Sequence, residues 1–210
     1  PVDAFSYKQA ATDMVLITDQ GRNRVIKVIK VDKKIIWQYG DETEGNGFNQ
    51  LKGPADAIAI PDSGLILICD KGNSRVILVR ESNKSIVWNY GPGELADPVD
   101  VEYNPQTREV LITDQGSHRV LKVERSTSQI TWQFGVSVAD SFSYGLNSPT
   151  DADFLPNGHI LICDAGNERL IEVNQLGQIV WQFTKRLKNL NDADRQLDNK
   201  TLAIYNNLPI

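Results

Sequence analysis

The sequence is poor in the residues that most enzyme chemistry needs. Its 210 residues include two cysteines, two histidines and one methionine. Cys69 and Cys163 alone make neither a disulfide framework nor a metal-ligand set. A histidine-based metal site would need His118 and His159 to converge with carboxylates, and they stand at opposite ends of their segments. No His-Glu-x-x-His, Gly-x-Ser-x-Gly or Cys-x-x-Cys motif and no phosphate-cradling glycine loop occurs. No apolar run approaches the roughly 18 residues that span a bilayer, so no membrane insertion is expected. Positive charge is also short. Lys and Arg number 22 against 27 Asp and Glu, a net charge of −5, which argues against a nucleic-acid partner. Sustained 3.6-residue apolar periodicity with caps is missing, so no substantial helix is expected. The chain opens on Pro1 without the basic head and apolar middle of a signal peptide, consistent with a removed leader or a piece of something longer.

What is there is a repeat. "LITDQGRNRVIKVIKVDKKIIWQY" from Leu16 recurs as "LICDKGNSRVILVRESNKSIVWNY" from Leu67, "LITDQGSHRVLKVERSTSQITWQF" from Leu111 and "LICDAGNERLIEVNQLGQIVWQF" from Leu161. An Asp recurs at Asp19, Asp70, Asp114 and Asp164, and five residues after each comes an Arg: Arg24, Arg75, Arg119, Arg169. A Trp closes each copy (Trp37, Trp88, Trp132, Trp181), and a Pro-x-Asp opens each, with Asp3, Asp56, Asp100 and Asp151. "LNDADRQLDNKTLAIY" begins a fifth copy, with Asp192 where Asp151 stood.

The Asp-to-Asp spacings are 51, 44 and 50 residues, a period that suits a four-stranded propeller blade and exceeds most helical solenoid units. "LILIC" and "HILIC" are continuous apolar runs, as in strands covered on both faces, and stacked blades supply that cover. "RVILV" and "SIVWNY" are rich in β-branched and aromatic residues, with turn-forming clusters such as "PDSG" and "LPNG" between runs. Each copy therefore reads as four antiparallel strands, a to d, with a innermost and d outermost. The expectation is an all-β propeller of one domain over 1–210, with repeats near 1–53, 54–97, 98–148 and 149–190 and a partial one at 191–210. The b–c turns and the d–a crossings then share one face. An incomplete ring is expected within these residues, its open edge covered by a protein partner or a further chain.

The Asp-x-Gly-Asn-x-Arg-Val turn after an "ILI" strand resembles the NHL repeat, and the resemblance covers almost the whole chain. The crossing "GDETEGNGFNQLKGPADA" is similar to that family's segment between blades. The closing "GQIVWQF" looks more like repeats of the arylsulfotransferase-like and quinoprotein propellers. The resemblance implies architecture, since propellers host enzymes, sensors and binding platforms alike.

Residues present once per blade are expected to hold the fold. The repeated Asp is expected to accept hydrogen bonds from its own turn and to pair, partly buried, with the repeated Arg. The four Trp are expected to pack between blades. The Cys/Thr positions (Thr18, Cys69, Thr113, Cys163) read as small buried sites, with both thiols free. No cofactor is expected; "DADFLPNG" and "DADRQLDN" resemble calcium loops without an EF-hand's ligand spacing. Function is sought where repeats differ. Arg22 and His118 in the b–c turns and Phe48, Phe142 and Tyr144 on the two long crossings form the candidate contact face, the aromatics as anchors. The leading reading is a non-catalytic binding or scaffold module for a macromolecule. The alternatives are an enzyme or small-molecule sensor of the six-bladed class, whose acids near the axis would be Glu102, Asp153 and Asp194, and, more weakly, an RNA-binding NHL platform.

Overall fold

The computed structural model describes residues 1–136, 145–184, 190–195 and 202–206. Phe142 and Tyr144 lie outside them. Four four-stranded antiparallel sheets follow one another. Blade 1 contains β1 (Asp3–Gln9), β2 (Thr12–Asp19), β3 (Arg24–Ile29) and β4 (Lys34–Tyr39). Blade 2 contains β5 (Asp56–Ile60), β6 (Leu65–Asp70), β7 (Arg75–Arg80) and β8 (Ile86–Tyr90). Blade 3 contains β9 (Pro98–Asn104), β10 (Glu109–Asp114), β11 (Arg119–Glu124) and β12 (Gln129–Gly135). Blade 4 contains β13 (Asp151–Phe154), β14 (Ile160–Asp164), β15 (Arg169–Val173) and β16 (Ile179–Phe183). β17 (Leu190–Arg195) and β18 (Leu202–Asn206) pair as a two-stranded sheet. The helical turns among the described residues are single 3-10 turns between strands b and c.

Contacts divide the chain into two compact units, Pro1–Val101 and Glu102–Ile210. In the first, Phe5, Tyr7, Leu16, Val25, Trp37 and Tyr39 of blade 1 pack on Ala57, Ile66, Ile68, Ile77 and Val79 of blade 2. In the second, Leu111, Val120, Trp132 and Phe134 of blade 3 pack on Ala152, Ile160, Ile162, Ile171 and Val173 of blade 4. Period-2 alternation sends neighbouring residues of a strand to opposite faces of its sheet, so one face of blade 1 meets blade 2 and one face of blade 3 meets blade 4.

The outer strands carry a feature not visible in the repeat pattern. Each c–d pairing shifts register once, at Lys27/Val28, Leu78/Val79, Lys122/Val123 and Glu172/Val173. Such a bulge places one extra residue in strand d and re-aims its neighbours. The Trp thereby stands opposite the fourth residue of strand c: Trp37 opposite Lys27, Trp132 opposite Lys122. The packing expected of the Trp holds unevenly. Trp132 is 9% exposed, and Trp37 donates its indole N–H to the Glu81 carbonyl at 3.0 Å. Trp181 is 41% exposed, which corrects the expectation for blade 4.

Candidate functional site

The repeated Asp and Arg meet in every blade. Arg Nε donates to Asp Oδ2 at 2.9 Å (Arg24–Asp19), 2.7 Å (Arg75–Asp70), 3.1 Å (Arg119–Asp114) and 2.6 Å (Arg169–Asp164). Asp70, Asp114 and Asp164 are fully buried. The carboxylates do not cap their own 3-10 turns. The second oxygen instead reaches the crossing that enters the blade. Asp70 Oδ1 accepts from Lys52 N at 2.8 Å and Asp164 Oδ1 from Asn147 N at 2.7 Å. The same Arg donates onward to crossing carbonyls, Arg75 to Asn46 and Gln50, Arg169 to Gly145. Burial pushes the Asp70 and Asp164 carboxyls up, against the hydrogen bonds from the crossing amide, the turn Asn and the Arg that pull them down.

The turn glycine belongs to this clamp. Gly72 N donates to Lys52 O at 2.8 Å, and a Cβ at Gly72 would lie 2.5 Å from that oxygen. Gly72→Ala is expected to push the crossing away and to cost about 1–3 kcal/mol, as overpacking does. A thermal melt indistinguishable from wild type would refute this role for the glycine.

The turn residue that varies between repeats is also put to structural use. Asn23, Ser74, His118 and Glu168 all take the left-handed conformation, with φ of 50°, 48°, 49° and 51°. Three of them hold the crossing that leaves their blade. Asn23 Oδ1 accepts from Gly53 N at 2.8 Å, Ser74 Oγ donates to Ala96 O at 3.1 Å, and His118 Nδ1 accepts from Ser148 N at 2.9 Å. His118 therefore has a crossing to position, and Arg22 is exposed.

Phe48 is 72% exposed on the first crossing. Beside that crossing lies an open groove of about 390 Å³, between the Gln20–Asn23 turn, Glu44, Lys52, Lys71 and Asp97. Its charges are internally matched, Lys52 with Glu44 at 3.5 Å and Lys71 with Asp97 at 3.2 Å.

The Pro-x-Asp carboxylates do a second job that the repeat did not reveal. Asp56 Oδ2 accepts from Val101 N at 3.0 Å, linking the inner strand of blade 2 to that of blade 3. The Asp3 carboxyl interacts with the Asp56 carboxyl, and burial pushes its pKa up. Glu102 Oε2 accepts from Phe154 N at 2.7 Å, so this acid also joins two inner strands. Burial, then the Asp100 and Asp3 charges, push the Asp56 carboxyl well above its ordinary range. The signal was available in the sequence as Pro-x-Asp, but nothing there gives the acceptor's partner.

Asp151 and Asp153 lie within β13, the inner strand of blade 4. Among the described residues no group of three or more His, Cys, Asp or Glu is placed to hold a metal ion. Cys69 and Cys163 are free and buried, each opposite a Pro-x-Asp carboxylate in the neighbouring strand. Burial first, and the Asp56, Asp100 and Asp70 charges after it, push the Cys69 thiol up, away from a reactive thiolate. Among the described residues no helix is long and apolar enough to cross a membrane.

No family description matches the sequence, and no curated protein matches it. Solved structures do. Hydrazine synthase of Kuenenia stuttgartiensis aligns with TM-score 0.70 at 14% identity, over 91% of this chain and 51% of that one. The WD40 β-propeller domain of Doa1 aligns with TM-score 0.70 at 10% identity, over 95% and 58%. A catalytically inactive virginiamycin B lyase from Staphylococcus aureus, solved with quinupristin, aligns with TM-score 0.68 at 14% identity, over 97% and 64%. The chain thus spans between half and two thirds of these proteins' lengths. At such identities the likeness shows the fold alone: this is a β-propeller fold of four-stranded antiparallel blades, shared by enzymes and by a WD40 domain.

Proposed function

We propose that this chain is a non-catalytic binding or scaffold module built of NHL-like repeats, and that the face formed by its b–c turns and d–a crossings receives a protein partner. The observation that carries this reading is the mounting of Phe48. The ring is 72% exposed, yet the crossing beneath it is fastened by Asp70, Asn73 and Arg75 through Lys52 N, Gly45 O, Asn46 O and Gln50 O. An exposed aromatic on a pre-ordered loop loses little conformational freedom on binding, which is what an interface anchor requires. The polar side chains that an enzyme would direct at a substrate are here engaged in fastening: Asp56 and Glu102 to inner strands, His118 to a crossing. The net charge of −5 favours a protein over RNA as the partner.

Substituting Phe48, Phe142 and Tyr144 together by Ser tests the reading. Proteins retained by the wild-type chain are expected to be lost by the variant, with its melting temperature unchanged. Unfolding would assign the rings to packing, and unchanged fold and capture would remove both roles.

A further inference from the structure

Asparagine followed by glycine occurs twice in the chain, as Asn46-Gly47 and Asn157-Gly158. That dipeptide carries its own reaction. The Gly backbone nitrogen can attack the Asn side-chain amide carbon, and glycine, without a Cβ, leaves the approach open. The fold treats the two copies oppositely. Asn157 is tied at both ends of its amide: Nδ2 donates to Glu172 Oε1 at 2.9 Å, and Oδ1 accepts from His159 N at 3.0 Å. Its would-be nucleophile is held as well, since Gly158 N donates to Leu155 O at 2.8 Å. Asn46 and Gly47 are exposed on the first crossing. Gly47 N reaches Gln50 Oε1 at 3.3 Å, beyond the usual range of such bonds. Asn46 is bonded through its main-chain oxygen.

The donor to that oxygen is a cation. Arg75 Nη1 donates to Asn46 O at 3.1 Å. The Arg75 side chain is 7% exposed, and its Nε serves Asp70, so Nη1 presents its N–H where little water competes. Asn46 O belongs to the same peptide group as Gly47 N. When that nitrogen loses its proton, resonance spreads the charge onto the oxygen that Arg75 faces. A donor aimed at developing charge is what an oxyanion hole supplies. In blade 4 the equivalent Arg169 donates to Gly145 O, but that peptide continues into Leu146 and carries no Asn side chain.

We infer that Asn46-Gly47 is a self-modifying site, at which Arg75 promotes conversion of Asn46 to isoaspartate and aspartate. Gly47 N gives its proton to solvent and bonds to Asn46 Cγ. The Cγ–Nδ2 bond breaks, Nδ2 takes a proton from water and leaves as ammonia, and a five-membered succinimide remains. Water then opens the ring at one of its two carbonyls. Opening at the Asn46 main-chain carbonyl, which Arg75 polarises, gives isoaspartate; opening at Cγ gives aspartate. The net change is one water consumed and one ammonia released, with no oxidation or reduction. Either product places a carboxylate two residues from Phe48, and isoaspartate lengthens the crossing by one carbon. An effect on partner capture rests on the reading of the turn face as a contact surface; the chemistry does not.

The test compares the intact chain with a synthetic peptide of residues 35–52, both incubated at mildly alkaline pH. Mass spectrometry after digestion, with fragmentation that separates isoaspartate from aspartate, follows each Asn. Asn46 is expected to convert roughly tenfold faster in the folded chain than in the peptide, the effect of one charge-assisted hydrogen bond made in the reaction. Asn157 is expected to stay unchanged over the same period. Arg75→Lys is expected to slow Asn46 toward the peptide's rate. Gly47→Ala, whose Cβ would meet only the end of the Gln50 side chain at 3.0 Å, is expected to fold and to stop the conversion. Slower conversion in the chain than in the peptide would overturn the inference, since Arg75 would then merely order the loop. Equal rates at Asn46 and Asn157, an Arg75→Lys variant as fast as wild type, or continued conversion in Gly47→Ala would do the same.

Discussion

Replacing Arg75 by Ala is expected to cost about 3–5 kcal/mol, the range for removing one partner of a buried ion pair, and to lower the melting temperature by about 6–20 °C. The physical reason is the isolation of Asp70. Its side chain is 0% exposed and that of Arg75 7%, so removing the guanidinium leaves a buried carboxylate without its cation. Two crossing carbonyls, Asn46 O and Gln50 O, lose their donors in the same step. Arg75→Lys should recover only part of the loss, because one ammonium cannot match the fork that serves Asp70 and two carbonyls together. Arg24→Ala provides the contrast. There the side chains are 13% and 19% exposed, solvent screens the pair, and the loss is expected to be nearer 1 kcal/mol. Thermal or denaturant unfolding of the three variants decides the matter. Equal losses at Arg75 and Arg24 would show that burial does not govern the pair.

The second large effect concerns pH and Asp56. Burial raises its folded-state pKa above the ordinary 3.8, with Asp100 and Asp3 adding to the rise. The native chain therefore holds more protons than the unfolded chain from about that ordinary value up to the raised one. Within that window stability falls as pH rises, and the contribution is fully present only below it. Asn mimics the protonated acid: its oxygen can accept from Val101 N and its amide can donate to Asp3. Asp56→Asn is accordingly expected to melt at or above the wild-type temperature at pH 7 and to flatten the decline above pH 4. Asp56→Ala strands the buried Val101 amide and is expected to cost about 1–3 kcal/mol at any pH. Melting curves from pH 4 to 8 separate the cases. A wild type whose stability climbs steadily through that range, with Asp56→Asn following it, would contradict the account. Glu124 acts in the opposite sense, since hydrogen bonds from Ser126 and Thr127 hold it down to about 2, and comparing variants at one position removes its contribution.

Much of the architecture was legible because it is local and repeated. The Asp, Gly and Arg of each b–c turn are within six residues of one another, and the apolar runs beside them need only a partner on either side. What stayed illegible is what joins blades. The Asp56 carboxylate meets an amide 45 residues away, and Glu102 meets one 52 away. No period reveals such a pairing, because it depends on how inner strands stand beside each other. The bulge in strand d was hidden for another reason. One extra residue leaves the strand's composition unchanged but decides which side chain faces the next blade. The residues of the candidate contact face differ in the same way in what the sequence reveals of them. Phe48 was recognisable as an apolar residue in a polar loop, whereas His118, equally suggestive in sequence, binds Ser148 N.

By itself, then, the sequence determined the four-stranded unit, its number of copies, the Asp–Arg partnership and the face on which the copies differ. Those follow from period, alternation and turn chemistry, which act between near neighbours in the chain. The tertiary structure alone decided which carboxylates lose their water and which crossings are pinned. The reason is physical. Desolvation and cover depend on what stands against a residue, and for Asp56 and Trp132 that surface comes from another blade.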